Sequence, residues 1–259
     1  MKPIVRTRDG SSCNADTAAE AGRSNRQVFK GVLQAFLLAL LPALTNTADA
    51  QKGPVLKTAQ DLSVFCETYY KQPRPELVSR AVDVLYSTGI LKDANAVPPI
   101  VGFFSEVFAA NPDQLPKWQA QIKKQDEQTK AVLQGALSLS QTGGALKLEG
   151  HSPSFNDMYW GAFYATGNLD YLQKLVDQLR YFDERDDIYL FMTGATAKWF
   201  LASNVRSHIL VRSTLETAKL NADERTKGLI SELLAQDPAY IQQETSEILR
   251  KQKADGKWK

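Results

Sequence analysis

Hydrophobic side chains recur every three to four positions along most of the chain. The spacing is clearest in residues 77–85, 172–182 and 229–234. Apolar residues at this interval form one stripe on an α-helix that faces a core. Alternating β-branched runs, which would indicate strands, do not occur. The pattern therefore predicts an all-α protein of antiparallel helical hairpins, stacked as an irregular array or a compact α-α bundle.

Polar residues that can cap helix N-termini precede several of the predicted helices. The clearest are Thr58 with Asp61, Ser152 before Pro153, Asp187 at the end of an acidic run, Asn221 with Glu224, and Asp237 before Pro238. Residues 143–152 carry the least helical pattern. They mark the best internal boundary of an otherwise single helical domain, residues 51–259.

Four predicted helices end with the same kind of tetrad, a bulky residue followed by two small ones and then Gly or Asn. The final residues are Gly89, Asn111, Gly167 and Asn204. Gly and Asn accept the left-handed conformation of a helix C-cap. The tetrads therefore predict left-handed caps at all four positions.

The first fifty residues have the organisation of an export signal. Arg23, Arg26 and Lys30 precede an apolar run over residues 32–44, and Ala48-Asp49-Ala50 follows it. The run is shorter than the roughly 20 residues that span a bilayer, and the three parts together match a secretory signal peptide. The sequence predicts cleavage after Ala50 and a periplasmic or secreted protein with no transmembrane anchor in its mature form.

Removal of this segment leaves a chain with no net charge. Residues 1–50 hold six of the 31 Lys and Arg and four of the 29 Asp and Glu, so 25 of each remain. Nucleic-acid binding depends on an excess of cationic contacts to phosphates, and is therefore not expected. The basic C-terminal tail that ends in Trp258 and Lys259 is expected to be a solvated end, with contact to an anionic surface as the alternative.

One segment resembles a known repeat family. Residues 160–168 read Trp-Gly-Ala-Phe-Tyr-Ala-Thr-Gly-Asn, and Tyr171 and Leu172 follow. This stretch is similar to the middle of a tetratricopeptide repeat, in which an aromatic first helix, a Gly-Asn turn and a second helix follow one another. The resemblance covers residues 158–182. It implies stacked helical hairpins that bind a peptide or protein, and it carries over no catalytic residue.

Candidate chemistry concentrates between Leu148 and Trp160. Glu149, His151 and Asp157 lie there, at a junction between a loop and a helix. An acid and a histidine in one pocket with a third polar group would suit a hydrolytic enzyme; helix capping and a loop position for His151 are the structural alternative. Walker, Rossmann, G-x-S-x-G, CxxC and metal-ligand spacings are absent, so no cofactor and no metal are predicted.

The leading hypothesis is therefore an exported, non-catalytic helical scaffold. It would bind a protein, a peptide or a cell-envelope polymer in a concave aromatic groove that contains Trp160, Tyr164, Tyr171 and Trp199. An envelope enzyme with a site around His151 and Asp157 is the first alternative. A periplasmic small-ligand-binding protein with an enclosed apolar cavity is the second.

Overall fold

The computed structural model describes residues 56–141 and 146–258, and these residues form eleven α-helices and no β-strand. The predicted signal peptide, its cleavage site after Ala50 and residues 143–145 of the predicted boundary lie outside the described residues. The helices are α1 (Ala59–Thr68), α2 (Val78–Thr88), α3 (Val97–Ala110), α4 (Leu115–Ile122), α5 (Glu127–Ser140), α6 (Pro153–Thr166), α7 (Leu169–Gln178), α8 (Ile188–Asn204), α9 (Ile209–Asn221), α10 (Glu224–Ala235) and α11 (Pro238–Ala254). The predicted all-α class is confirmed.

Most of the predicted N-terminal caps are present. Thr58 and Asp61 form a reciprocal capping box, in which the Asp61 amide donates to Thr58 Oγ1 and the Thr58 amide donates to Asp61 Oδ2. Ser152 caps α6, and Asp187 caps α8. Each cap satisfies backbone N–H groups that the first helical turn leaves without partners. The acidic run at residues 183–187 therefore ends in a helix cap.

Two predictions about helix ends are wrong. Helix α10 is capped by Asp223, whose carboxylate accepts from the Thr226 amide at 2.9 Å, because Asn221 is still the last residue of α9. Gly167 takes the predicted left-handed conformation (φ 68°), as Gly89 does, but Asn111 and Asn204 do not. A Cβ atom disfavours that conformation, and the chain leaves both asparagines with negative φ.

The most extensive contact in the described fold joins α3 and α6, at a crossing built on two glycines. A Cβ atom on Gly161 would lie 2.0 Å from the Pro99 carbonyl oxygen, and one on Gly102 would lie 2.1 Å from the Met158 carbonyl oxygen. Only residues without side chains permit two helix backbones to approach so closely. Helix α6 also packs on α1, α7 and α8, which places it at the centre of the array.

A buried cation links α8 to the last two helices. Lys198 is fully buried, and its Nζ donates to Glu232 on α10 and to Glu244 on α11, both at 2.7 Å. The same Nζ stands 4.0 Å from the centroid of the Phe182 ring. A charge removed from water needs such partners, so this arrangement sets the positions of α10 and α11 against α8.

The C-terminal tail is docked, which corrects the expectation of a solvated end. Trp258 is 5% exposed, its Nε1 donates to the Arg185 carbonyl oxygen at 3.0 Å, and its ring lies 5.0 Å from the Phe191 ring. This site therefore buries the apolar ring and gives the indole N–H an acceptor. Among the described helices, none is long and apolar enough to cross a membrane.

Candidate binding site on helix α6

Three chemically distinctive side chains share one face of α6. Asp157, Trp160 and Tyr164 stand at positions i, i+3 and i+7, a spacing that aligns them along the helix. Trp160 is buried and stacks on Phe200 of α8, with ring centroids 5.9 Å apart and planes at 16°. Tyr164 is half-buried and meets Trp160 edge to face at 4.7 Å. We call these three residues the α6 face.

Asp157 is the electrostatic anomaly of the α6 face. It is half-buried, and among the described residues its carboxyl group has no hydrogen bond and no ion pair. Burial raises its pKa to about 8. The preceding residue, Asn156, uses its side-chain amide donor twice, since Nδ2 donates to the Thr193 carbonyl oxygen at 2.7 Å and to Thr196 Oγ1 at 2.9 Å. A perturbed carboxyl without a structural partner is a candidate for function.

Trp160 adds a second unpaired polar group. The indole N–H lowers the pKa of the Tyr164 hydroxyl, although burial raises that pKa by more. The N–H does not have the geometry of a hydrogen bond to this hydroxyl, however, and Nε1 has no acceptor in the described part of the chain. A buried donor left without a partner costs about 1–3 kcal/mol. The α6 face therefore contains an unpaired acid and an unpaired donor within one helical turn.

Helix α1 brings a further acid to the Tyr164 end of this face. Glu67 is half-buried, accepts a hydrogen bond from Ser63 Oγ at 2.7 Å, and has a pKa raised by burial. Burial, reinforced by the Glu67 charge, holds the pKa of Tyr164 well above its usual range. The Tyr164 hydroxyl donates to Asn204 Oδ1 at 3.0 Å. Segments about a hundred residues apart in sequence thus meet at Tyr164.

Beside Tyr164 lies a buried histidine that the sequence did not single out for this site. His208 is 4% exposed, and its Nδ1 lies 2.9 Å from the Tyr70 hydroxyl. The rings of Tyr70, Trp160, Phe163 and Tyr164 surround it with centroids 5.4–6.4 Å away. Burial, with a smaller contribution from Lys71, lowers the pKa of His208 to about 4. The imidazole is therefore neutral at pH 7 and joins the turn after α1 to the start of α9.

The candidate catalytic residues are not bonded to one another in the described structure. His151 is exposed, and its ring lies 4.9 Å from the Tyr181 ring. Glu149 is also exposed. Within the described residues, no hydrogen bond or ion pair joins either of them to Asp157. In the described residues these three side chains therefore form no hydrogen-bonded acid–base pair.

The predicted binding residues separate into two groups. Trp160 and Tyr164 are in contact on α6, and Trp199 is half-buried with its ring 5.3 Å from the ring of Phe200, on which Trp160 stacks. Tyr171 is buried elsewhere, where its hydroxyl donates to Glu106 Oε1 at 2.7 Å and accepts from the Leu146 amide. It therefore anchors the chain after residue 145 to α3 and does not line a groove with the other three.

Two other possible sites in the described residues are less developed. A cleft of about 400 Å³ between α7, α9 and the start of α10 is lined mainly by polar side chains that already bond one another, such as Gln173 with Asp177 and Asp223 with Thr226. No group of three or more His, Cys, Asp or Glu in the described ranges has the arrangement of a metal site. The α6 face is the better candidate because two of its polar groups, the Asp157 carboxyl and the Trp160 indole N–H, lack partners in the described residues.

A scan against protein-family models and searches of curated proteins and of solved structures each found no match. The resemblance to the tetratricopeptide repeat therefore rests on residues 158–182 alone.

Proposed function

We propose that this protein is an exported, non-catalytic helical binding protein that holds a segment of a peptide or protein on the α6 face. The single observation that carries the proposal is the half-buried Asp157 carboxyl, which no other described residue binds. Asp157 lies seven residues, or about 10 Å along the helix axis, from Tyr164, and Trp160 lies between them. An acid, two aromatic rings and a nearby amide side chain are the groups that orient a peptide.

The burial of the Asp157 carboxyl is expected to have a cost in stability, and this supports its proposed role. When folding raises the pKa of a carboxyl group, the folded state loses stability as the pH increases from the ordinary pKa of that group to its raised pKa. Asp157 therefore costs stability at pH 7, and an asparagine would not. Natural proteins carry such costs where a binding or catalytic site requires them.

Export is part of the same proposal. It is supported by the basic residues, the apolar run and the Ala48-Asp49-Ala50 site of the first fifty residues. A binding role is preferred to an enzymatic one because no hydrogen bond or ion pair joins His151 or Glu149 to Asp157 in the described residues. The proposal keeps Trp160, Tyr164 and Trp199 of the predicted groove and adds Asp157, whereas Tyr171 is left out because its hydroxyl binds Glu106 and the Leu146 amide.

A comparative pull-down tests the proposal. The purified full-length chain and its Asp157→Asn and Tyr164→Phe variants are incubated with cell-envelope extract, and bound material is quantified by mass spectrometry. Asp113→Asn is the matched control, because Asp113 is an exposed acid on the turn after α3. Circular dichroism confirms that all four proteins are folded.

The expected result is a species that binds wild type and Asp113→Asn equally. Its captured amount should fall at least about tenfold with Asp157→Asn or Tyr164→Phe, which corresponds to a loss of about 1.4 kcal/mol in binding free energy. Capture that is the same for all four proteins would refute the α6 face as the binding site. Capture of nothing by wild type would refute the binding role in that extract.

A further inference from the structure

A cleft of about 400 Å³ lies between α7, α9 and the start of α10, and we call it the polar cleft. This volume is within the range of about 300–1,000 Å³ that small-ligand sites occupy. One wall is formed by Gln173, Asp177 and Arg180 on α7 and the turn after it, and the other by Thr217 and Asn221 at the end of α9. All five side chains are exposed, so a ligand can reach them without any change in the fold.

Contacts within the walls hold several of these side chains in position. Gln173 Nε2 donates to Asp177 Oδ1 at 2.8 Å. Arg180 Nη2 donates to the Tyr181 hydroxyl at 3.0 Å, and its guanidinium group stands over the Tyr181 ring at 4.8 Å from the centroid. A ligand therefore meets groups that are already ordered, and binding costs less conformational entropy.

The same contacts use only part of the hydrogen-bonding capacity of the lining. Within the described residues, Asp177 Oδ2 and Gln173 Oε1 accept no hydrogen bond, and Arg180 uses one of its several side-chain N–H groups. The side chains of Thr217 and Asn221 have no hydrogen-bond partner in the described part of the chain. The two walls therefore present both donors and acceptors to the cleft.

The charges of the lining are nearly balanced. Arg180 is the one cation, and Asp177 and Asp223 are the two acids of the residues that line the cleft. Both carboxylate oxygens of Asp223 already accept from Thr226, one from its amide at 2.9 Å and one from its hydroxyl at 2.8 Å. Arg180 and Asp177 therefore offset each other, and the cleft favours a neutral ligand.

A hydroxyl-rich ring matches this lining. A hydroxyl group both donates and accepts hydrogen bonds, so a ring with several hydroxyls can use both kinds of free group at once. The C–H groups of such a ring can pack on Val176, Ala218 and Ala222, which are the apolar residues of the lining. We propose that the polar cleft binds a neutral sugar ring, with Asp177 and Gln173 on one side of it and Asn221 on the other.

Other classes of ligand match fewer of these groups. A purely apolar molecule would remove the free donors and acceptors from water without replacing their hydrogen bonds. A cation would use Asp177 and be repelled by Arg180, and an anion would do the reverse. The sugar site is independent of the α6 face, because its residues lie on α7, α9 and α10.

The test titrates the full-length chain with D-glucose, D-galactose and N-acetyl-D-glucosamine. Binding is followed by the ¹⁵N–¹H side-chain amide resonances of Gln173 and Asn221, each assigned by its loss on substitution with alanine. Cyclohexanol, a ring of the same size with a single hydroxyl, and n-butylammonium chloride are the comparison ligands. The variants are Asp177→Ala and Asn221→Ala, one from each wall. Asp170→Ala is the matched control, because Asp170 is an exposed acid of α7 that does not line the cleft.

The expected result is a saturable shift of both amide resonances with at least one of the sugars, in wild type and in Asp170→Ala. The dissociation constant should be at least about fivefold weaker in Asp177→Ala, followed at Asn221, and in Asn221→Ala, followed at Gln173. Cyclohexanol and butylammonium at equal concentration should give less than about a tenth of the shift, since neither can use both donors and acceptors across the cleft.

Three outcomes would overturn the proposal: no saturable shift with any of the sugars, equal binding by wild type and the two cleft variants, or equal shifts with a sugar and a comparison ligand. Circular dichroism of each variant establishes that a loss of binding does not come from unfolding. Cellobiose, lactose and N,N′-diacetylchitobiose carry the same rings within a chain. Tighter binding of one of them than of its single sugar identifies a glycan chain as the source of the ring, and weaker binding identifies a free sugar.

Discussion

Gly161→Ala provides the sharpest test of how the described helices are held together. The new Cβ atom would stand 2.0 Å from the Pro99 carbonyl oxygen and 2.9 Å from the Phe103 amide nitrogen. Both are backbone atoms of α3, so no side-chain rotation relieves the clash. Gly161→Ala must therefore push α3 and α6 apart.

The size of that displacement follows from the contact distance. An ordinary Cβ contact begins at 3.4 Å, so the Pro99 oxygen has to retreat by about 1.4 Å from its 2.0 Å position. A gap of 0.5–1 Å already forfeits about a quarter to a half of the dispersion energy of the facing atoms. Overpacking of cores costs about 1–3 kcal/mol. Because this is the largest contact in the described fold, we expect about 3 kcal/mol, or a fall in Tm of about 6–12 °C.

Gly135→Ala is the matched control. Gly135 lies in α5, and a Cβ atom there meets nothing within 4 Å. Alanine in an open helical position is more favourable than glycine by about 0.5–1 kcal/mol. The same chemical change should therefore raise the Tm at one site and lower it at the other, which urea unfolding and thermal circular dichroism both measure.

Opposite signs are the essential outcome. If Gly161→Ala were neutral or stabilising, α3 and α6 would not cross at van der Waals distance through their backbones. If Gly135→Ala were as damaging as Gly161→Ala, the cost at Gly161 would reflect a general intolerance of substitution and not the crossing.

Two further predictions concern His208 and Trp258. The pKa of His208 is depressed to about 4. The contribution of the buried neutral imidazole to the free energy of unfolding is therefore complete above pH 6.5, and it is lost as the pH falls to about 4 because the unfolded state takes up the proton first. The advantage of wild type over His208→Gln in urea unfolding should shrink by about 3 kcal/mol over that range, and a constant difference would contradict the buried neutral imidazole. Trp258→Ala should lower the free energy of unfolding by about 3 kcal/mol, whereas Tyr240→Ala, at a residue 52% exposed, should change it by less than about 0.5 kcal/mol. A Trp258→Ala effect as small as the Tyr240→Ala effect would show that the tail is not docked.

The fold class and most helix starts follow from local rules. The 3.6-residue stripe identifies each helix by itself, and caps such as Thr58 and Asp187 act within four residues, so the sequence carries their whole explanation. The ends at Asn111 and Asn204 were mispredicted because the direction of the following chain, and not the residue type, decides the backbone conformation there. The crossing at Gly102 and Gly161 could not be predicted, since 59 residues separate two glycines of ordinary local context.

The site was predictable only in part, for the same reason. Asp157, Trp160 and Tyr164 were recognisable because they stand close together on one helix. Tyr70 and His208 are 138 residues apart, and neither carries a local signal that it meets the other. Tyr171 was misplaced because its spacing matches the groove residues while its hydroxyl is directed to Glu106.

The pairing of Lys198 with Glu232 and Glu244 also orders events during synthesis. Lys198 is made 34 residues before its first acid and 46 before its second. Until α11 has been made, the Lys198 ammonium group at the centre of α8 would have only one of its two carboxylate partners. Phe191 would also lack its contact with the ring of Trp258. The interior of α8 is therefore completed only after α11 has been made, whereas the core formed by residues 56–137 does not wait for it.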